Sequence, residues 1–339
     1  MARPMTAAQA IGFDVRTADA LQFEADVLVL KYAQASHGLD RVVYEFLTMG
    51  GNRPELPGPG DFALYQTNGR LAPTSVLFVG VKPLNRFGYA EIRDFARNAL
   101  GYLAERAATT QHVALTIHGP GYGLDEIEAF QAEFAGLVDG ITSGAYPQGL
   151  ETITLVDKDE NRAKRLDASL RQLLPEKSLQ TKVPLSRSGL QTQTQHTLRT
   201  AGYGSAAKPH VFVAMPFAEE MNDIFHYGIQ KPVNDADLLC ERADLSAFTG
   251  DVMEWVKGRI ATAKLVVADL STANPNVYLE VGYAWASRVP TVLLVNDPSA
   301  LKFDVSGQHV VVYKSIRNLE EALRSELKQL QSSGALPEN

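Results

Sequence analysis

Cysteine is nearly missing from this chain: its 339 residues include one, Cys240. A single thiol cannot close an intrachain disulfide, and no zinc-type Cys/His spacing occurs, so no structural metal is expected. Cys240 sits in the apolar run "DLLCE", which reads as a small buried side chain rather than a nucleophile. Long hydrophobic stretches are also missing. No run approaches the roughly 18 apolar residues of a membrane-spanning helix, and the opening "MARPMTAAQAIG" has no sustained apolar core of the secretory type. There is no basic excess either. The net charge is −7, which argues against a broad grip on nucleic acid. These absences point to a cytoplasmic protein with neither a membrane nor a nucleic acid as partner.

What is present fits two globular cores. Hydrophobic residues make up 45% and charged residues 21% of the chain, and this length favours two domains over one. Through residue 175, short apolar runs alternate with helical patterns. "ADVLVLKY", "TSVLFVGV", "HVALTIHG" and "ETITLVD" read as buried strands, and "YAEIRDFARNALGYLAERA" and "NRAKRLDASLRQLL" read as helices. Residues 176–208 change character. This stretch is rich in Gln, Thr, Ser and Gly, with five basic residues and one acidic one, and reads as an interdomain linker with room for one short strand. The alternation restarts at 209. "HVFVAMPF", "DLLCERAD", "KLVVADLS", "PTVLLVND" and "QHVVVYK" are strands with helices between them, and "NLEEALRSELKQLQSS" closes the chain. The fold class expected is α/β in two domains, 1–175 and 209–339, the second a five-stranded, doubly wound parallel sheet. Such sheets bind ligands beyond the carboxyl ends of their strands.

One stretch at such an end, "LVVADLSTANPNVYLEVGYAWA", carries chemistry. Its strand ends at Asp269; Asn274 is placed to cap the next helix and Pro275 to begin it. Glu280 then lies in the first two turns, on one face with Asn276 and Ala284. The helix start favours an ionised carboxylate, and Val277, Leu279 and Val281 could partly desolvate it. A carboxylate so held can stabilise, or bond to, the oxocarbenium-like C1′ that forms when an N-glycosidic bond breaks. Spacing alone also admits a solvated helix-start acid and an Asx-type turn at Asp269.

The set "HVFVAMPF", "CERAD", "VVADLSTANPNVYLEVGYAWA" and "PTVLLV" resembles the nucleoside 2-deoxyribosyltransferase-like superfamily, whose general fold TIR domains share. The likeness spans most of residues 209–315. It implies that Glu280 is the catalytic carboxylate and that Met215, Pro216 and Phe217 line the ribose or base pocket. Asp244, Asp269, Ser271, Asn274 and Asn276 would shape the same site. The chain departs from deoxyribosyltransferases in having Asn274-Pro275-Asn276 where they carry an acidic "D-x-G-T" segment. That departure favours cleavage of a nucleotide, NAD+ foremost, as in TIR-type effectors of anti-phage defence, and such enzymes imply a homo-oligomer. NAD+ is then substrate and no cofactor is expected. Base exchange or hydrolysis of free nucleosides, and a non-catalytic nucleotide sensor or scaffold, are the alternatives.

The first domain resembles macro-like domains of the kind that open leucyl aminopeptidases, over roughly residues 12–172. "FEADVLVLKY", "TSVLFVGVKP" and "GPGYGLDEIEAFQAEFAGLV" carry that likeness, and no "NTDAEGR"-like peptidase segment accompanies them. It implies recognition of a nucleotide signal or a structural role. Gly119, Gly121 and Gly123, between a strand and a helix, form either a diphosphate-binding loop or a tight turn.

Overall fold

The computed structural model describes residues 10–36, 38–49, 51, 53–181, 185–187, 190–243, 252–301 and 310–337. The chain divides into two compact α/β units, one formed by residues 1–119 with 126–206 and the other by 120–125 with 207–339.

In the first unit, strand β1 (Ala10–Thr17) is followed by β2 (Val27–Tyr32), helix α1 (Leu39–Thr48), β3 (Phe62–Gln66) and β4 (Ser75–Gly80). Helix α2 (Tyr89–Arg106), β5 (His112–Leu115), α3 (Glu126–Ser143), β6 (Thr152–Asp157), α4 (Glu160–Leu173), β7 (Ser178–Gln180) and α5 (Thr192–Thr200) complete it. The seven strands form one mixed sheet in the order β3-β4-β2-β5-β6-β1-β7, with only β3 and β7 antiparallel to their neighbours. The central strands β2 and β4 are buried almost throughout, as continuous apolar runs covered on both faces should be. Strand β1 differs: Ile11, Phe13 and Val15 are buried while Gly12, Asp14 and Arg16 face outward. That period of two is passed over when strands are sought as unbroken apolar runs. Helices α2 and α3 approach closely at Gly136, where a Cβ would stand 2.1 Å from the Arg93 carbonyl oxygen.

The stretch 176–208, expected as a linker, is built into this unit as far as Ala206. Strand β7 pairs with β1, and α5 packs on α3. Buried Arg93 holds the segment. Its Nη1 donates to the carbonyls of Arg199 (3.2 Å) and Ala201 (2.7 Å), while Nε and Nη2 bind Asp139. Ser205 donates its hydroxyl proton to Glu128 at 2.5 Å. A helix of nine residues is too short to be stable alone, and partners far away in sequence stabilise it.

In the second unit, β8 (His210–Ala214) leads through a 3-10 turn (Glu219–Met221) and a π-helical segment (Ile224–Gln230) into α6 (Lys231–Asp235). Strand β9 (Leu239–Glu241), α7 (Val252–Thr262), β10 (Leu265–Asp269), α8 (Pro275–Ala286), β11 (Thr291–Val295), β12 (Val310–Val312) and α9 (Ile316–Ser332) follow. The sheet order is β12-β11-β10-β8-β9, and every pairing is parallel. The doubly wound parallel domain expected from the sequence is therefore present. The helix between β8 and β9 winds continuously but is π-helical over Ile224–Gln230. Pro232 lacks the N–H that would bond the Gly228 carbonyl, and its ring disfavours regular α winding over the preceding turn. In this segment Phe225 is buried while Tyr227 faces outward (48% exposed). Helix α9 buries Leu319, Leu323 and Leu327 on one stripe and starts at Ser315, whose side chain accepts from Asn318 N–H. Among the described residues no helix is long and apolar enough to cross a membrane.

Candidate functional site

Sheet order locates the crevice of the second unit. The chain leaves β8 toward β9 on one side and leaves β10 toward β11 on the other. The carboxyl ends of the adjacent strands β8 and β10 therefore flank the point where the winding reverses, where open α/β sheets take their ligands. Met215, Pro216 and Phe217 follow β8, and the loop 270–274 follows β10 and leads into α8.

The loop after β10 is a fixed scaffold. Asp269 is fully buried, and its two oxygens accept from Ser271 N–H (2.9 Å) and the Tyr313 hydroxyl (2.7 Å). Burial, the Asp269 charge and the hydrogen bond between them push the Tyr313 hydroxyl well above its ordinary range. Ser271 Oγ lies 3.2 Å from the Tyr313 hydroxyl and accepts from Asn296 N–H at 3.0 Å. Asn274 caps α8 by accepting from Asn276 N–H at 2.9 Å, with Pro275 in the first turn. Asp269, Ser271 and Asn274 are thus engaged in holding the turn, and Asn276 is exposed.

Glu280 shares the buried face of α8 with Val277, Val281 and Ala284. These three belong to a core that also contains Ala214 at the end of β8, Ala268 near the end of β10, and Ala243. Leu279, expected to help cover the carboxyl, points to solvent. Glu280 is 8% exposed, and among the described residues no hydrogen bond or ion pair reaches it. Burial raises its pKa from 4.5 to about 8. This corrects the expectation of an ionised group: near neutral pH the free protein holds a neutral carboxyl, because desolvation outweighs the helix start.

The loop after β8 carries an aromatic–cation stack that the sequence reading missed. Arg242, the first residue after β9, lies 3.8 Å from the Phe217 ring centroid and 4.8 Å from that of Phe225. Its Nη2 donates to the Pro216 carbonyl at 2.5 Å. Met215 is buried, whereas Phe217 is 43% exposed and covers the guanidinium from outside. The signals for Arg242 and Tyr313 were their places, each directly after a strand in "CERAD" and "VVVYK". Asp244 lies outside the described residues. Cys240 is buried, and burial, helped by the charges of Asp125 and Glu241, raises its thiol pKa well above the ordinary value. It is no nucleophile.

The glycine loop forms a 3-10 turn over Pro120–Tyr122, with φ of 111° at Gly119 and 92° at Gly123. A Cβ on Gly123 would stand 2.5 Å from the Trp255 ring, whereas one on Gly121 would meet nothing within 4 Å. Packing and positive φ account for Gly123. Nearby Asp125 accepts from Asn234 Nδ2 (2.7 Å) and Cys240 N–H (2.9 Å), all within the second unit.

The first unit has its own reversal point. The chain leaves β2 toward β4 and leaves β5 toward β6, so the crevice lies between the carboxyl ends of β2 and β5. Lys31, near the end of β2, is buried with Asp40, His118 and Glu133. Burial lowers the Lys31 pKa, against the opposing charges of Asp40 and Glu133, and its ammonium lies 5.9 Å from the Phe87 ring centroid. His118 Nδ1 lies 3.0 Å from Glu133 Oε1, and its backbone N–H donates to Oε2 at 3.1 Å. A lysine inside the apolar run "ADVLVLKY" was the sequence signal for this cluster.

No protein-family profile matches the chain, and no curated protein does. Among solved structures it is similar to a Trypanosoma brucei macrodomain in complex with ADP-ribose, at 11% identity and TM-score 0.37, over 47% of this chain and 69% of the other. It is similar also to an Oceanobacillus iheyensis macrodomain with ADP, at 13% identity and TM-score 0.36, over 50% of this chain and 100% of the other. A third is the Clostridium botulinum CMP N-glycosidase BcmB, at 18% identity and TM-score 0.29, over 34% of this chain and 98% of the other.

Proposed function

We propose that the second unit cleaves the N-glycosidic bond of a nucleotide, with NAD+ as the substrate that fits best and Glu280 as the reacting carboxyl. The observation that carries this reading is Glu280 itself, a buried carboxyl on the helix that follows the β8/β10 crevice, with no described partner. An ionisable group buried without a partner is costly in a core that could have held an apolar residue. A ligand that brings positive charge supplies the missing partner, and perturbed carboxyls in clefts are characteristic of reaction centres. NAD+ carries a fixed positive charge on its nicotinamide ring, which would stabilise the ionised form of Glu280 on binding.

In the step proposed, the C1′–N bond breaks and its electron pair goes to the ring nitrogen, which becomes neutral. Positive charge passes to C1′, where the Glu280 carboxylate stabilises it. Water bonds to C1′ and releases one proton, leaving nicotinamide and ADP-ribose. The loop of Met215, Pro216 and Phe217 lines the base or ribose side, oriented by Arg242. The hydrogen-bonded turn from Asp269 to Asn274 fixes α8, and so the carboxyl, against the crevice.

For the first unit the same reading assigns recognition of a nucleotide signal. The reversal point between β2 and β5, with its buried group of Lys31, Asp40, His118 and Glu133, supports it. A metabolite profile of cells expressing the protein tests the proposal as a whole. Wild type should deplete NAD+ and accumulate the free base, and Glu280→Gln should not. Identical profiles for the two would overturn it.

A further inference from the structure

Away from its own crevice between β2 and β5, the first unit has a groove of about 560 Å³ along the outer part of β1. That volume falls in the range of small-molecule sites, roughly 300–1,000 Å³. Strand β7 pairs with β1 only at Ala10, Ile11 and Gly12. Beyond them Phe13 N–H reaches the Lys177 carbonyl at 2.7 Å, and no strand among the described residues lies beside Asp14–Thr17 on that side. The groove is floored by this strand, with Gly12 leaving room, and walled by Asp167 and Arg171 of α4 and by Lys177.

Its side chains form a row of alternating charge. Arg16 Nε meets Asp14 Oδ2 at 2.6 Å, and Asp14 Oδ1 accepts from Lys177 Nζ at 2.9 Å. Lys177 Nζ also donates to Asp167 Oδ1, whose Oδ2 accepts from Arg171 Nε at 2.8 Å. Burial alone would raise both carboxyls, but the hydrogen bonds and charges of Lys177 and the arginines hold each below its ordinary value. Both aspartates therefore stay ionised and engaged. Three cations face two carboxylates, so the row has one positive charge in excess.

The two arginines end the row on either side. Each is nearest its aspartate through Nε, Arg171 by a hydrogen bond and Arg16 by an ion pair, and among the described residues the Nη groups of neither make a hydrogen bond. Their side chains are 64% and 62% exposed. A guanidinium fixed through Nε presents its Nη donors in a set plane, the geometry that suits phosphate oxygens.

We propose that this groove is a second ligand site, which takes a chain of phosphates along the row, bonded by Arg16 and Arg171 with Lys177 between them. The chain comes either from an inorganic polyphosphate or from the phosphate tail of a nucleotide. The aspartates orient the cations and limit the affinity, so the site releases its ligand readily and responds steeply to salt.

Calorimetric titration at low ionic strength tests this, with tripolyphosphate, ATP and AMP as separate probes. Wild type should bind tripolyphosphate or ATP well ahead of AMP. Tighter binding of ATP would name the nucleotide as the source, and equal binding the inorganic chain. Arg16→Ala and Arg171→Ala should each weaken binding about tenfold, and the double variant should abolish this component. Both side chains project outward, so the variants fold; Arg41→Ala, an exposed arginine on α1 paired with Glu45, should change nothing. Binding at a nucleotide crevice would survive the double variant, which separates the two sites. The proposal fails if wild type binds neither polyphosphate probe, or if the double variant binds both as wild type does.

Discussion

Glu280→Gln should make the second unit increasingly more stable than wild type as the pH rises. The folded-state pKa of Glu280, about 8, lies above its ordinary 4.5, so the folded chain holds this proton where the unfolded chain has lost it. Stability from the neutral group is complete below pH 4.5 and is lost as pH rises through 8, at about 1.4 kcal/mol per pH unit. The loss is about 3 kcal/mol at pH 7 and about 5 kcal/mol above pH 8. Glutamine has the same shape and never ionises, so its stability lacks this slope. The absolute offset between the proteins depends on how the amide is accommodated; the difference in slope does not. The two tryptophans of the chain, Trp255 and Trp285, both lie in the second unit. Tryptophan fluorescence during urea unfolding at pH 5, 6, 7, 8 and 9 therefore follows that unit alone. Curves that run parallel for the two proteins across this range would refute the reasoning, because Glu280 would then ionise as freely folded as unfolded.

Three other perturbations follow from the packing. Tyr313→Phe removes the hydroxyl that meets Asp269 Oδ2, leaving a buried carboxylate oxygen unsatisfied, and should cost about 1–3 kcal/mol by urea unfolding. Arg93→Ala frees Asp139 and two carbonyls of the 199–201 segment; it should cost about 3–5 kcal/mol, with hydrogen exchange quickening over residues 192–206. Gly123→Ala sets a Cβ against the Trp255 ring at a positive φ, which should cost about 1–3 kcal/mol and shift tryptophan emission.

The second unit was the more legible in sequence because its signals are local. Buried parallel strands are unbroken apolar runs, so β8, β10 and β11 were visible, and Asn274 and Pro275 announce the start of α8. Position within the sheet also placed Glu280 beside a strand's carboxyl end. Its protonation was misread because the cap and helix start are local and visible, whereas desolvation by Val277, Val281 and the surrounding core is a tertiary effect. Residues 176–208 misled for the same reason: what orders α5 is Arg93, about a hundred positions away. Arg242 and Tyr313 escaped notice because nothing local shows that one stacks on Phe217 and the other bonds to Asp269. The charged row from Arg16 to Arg171 joins β1, α4 and the turn before β7, and only the folded chain makes it a row.

Release of nicotinamide from NAD+ by the purified protein, followed by chromatography for wild type and Glu280→Gln across pH 6–9, goes to the heart of the proposal. Wild type should yield nicotinamide and an ADP-ribose product in equal amounts. Its kcat/KM should rise about tenfold per pH unit up to about 8, where Glu280 becomes ionised, and then level off. Glu280→Gln should be slower by about a hundredfold or more. Equal rates for the two proteins, or no release of base from NAD+ or any other nucleotide by wild type, would contradict the assignment of Glu280 as the carboxyl that breaks the bond.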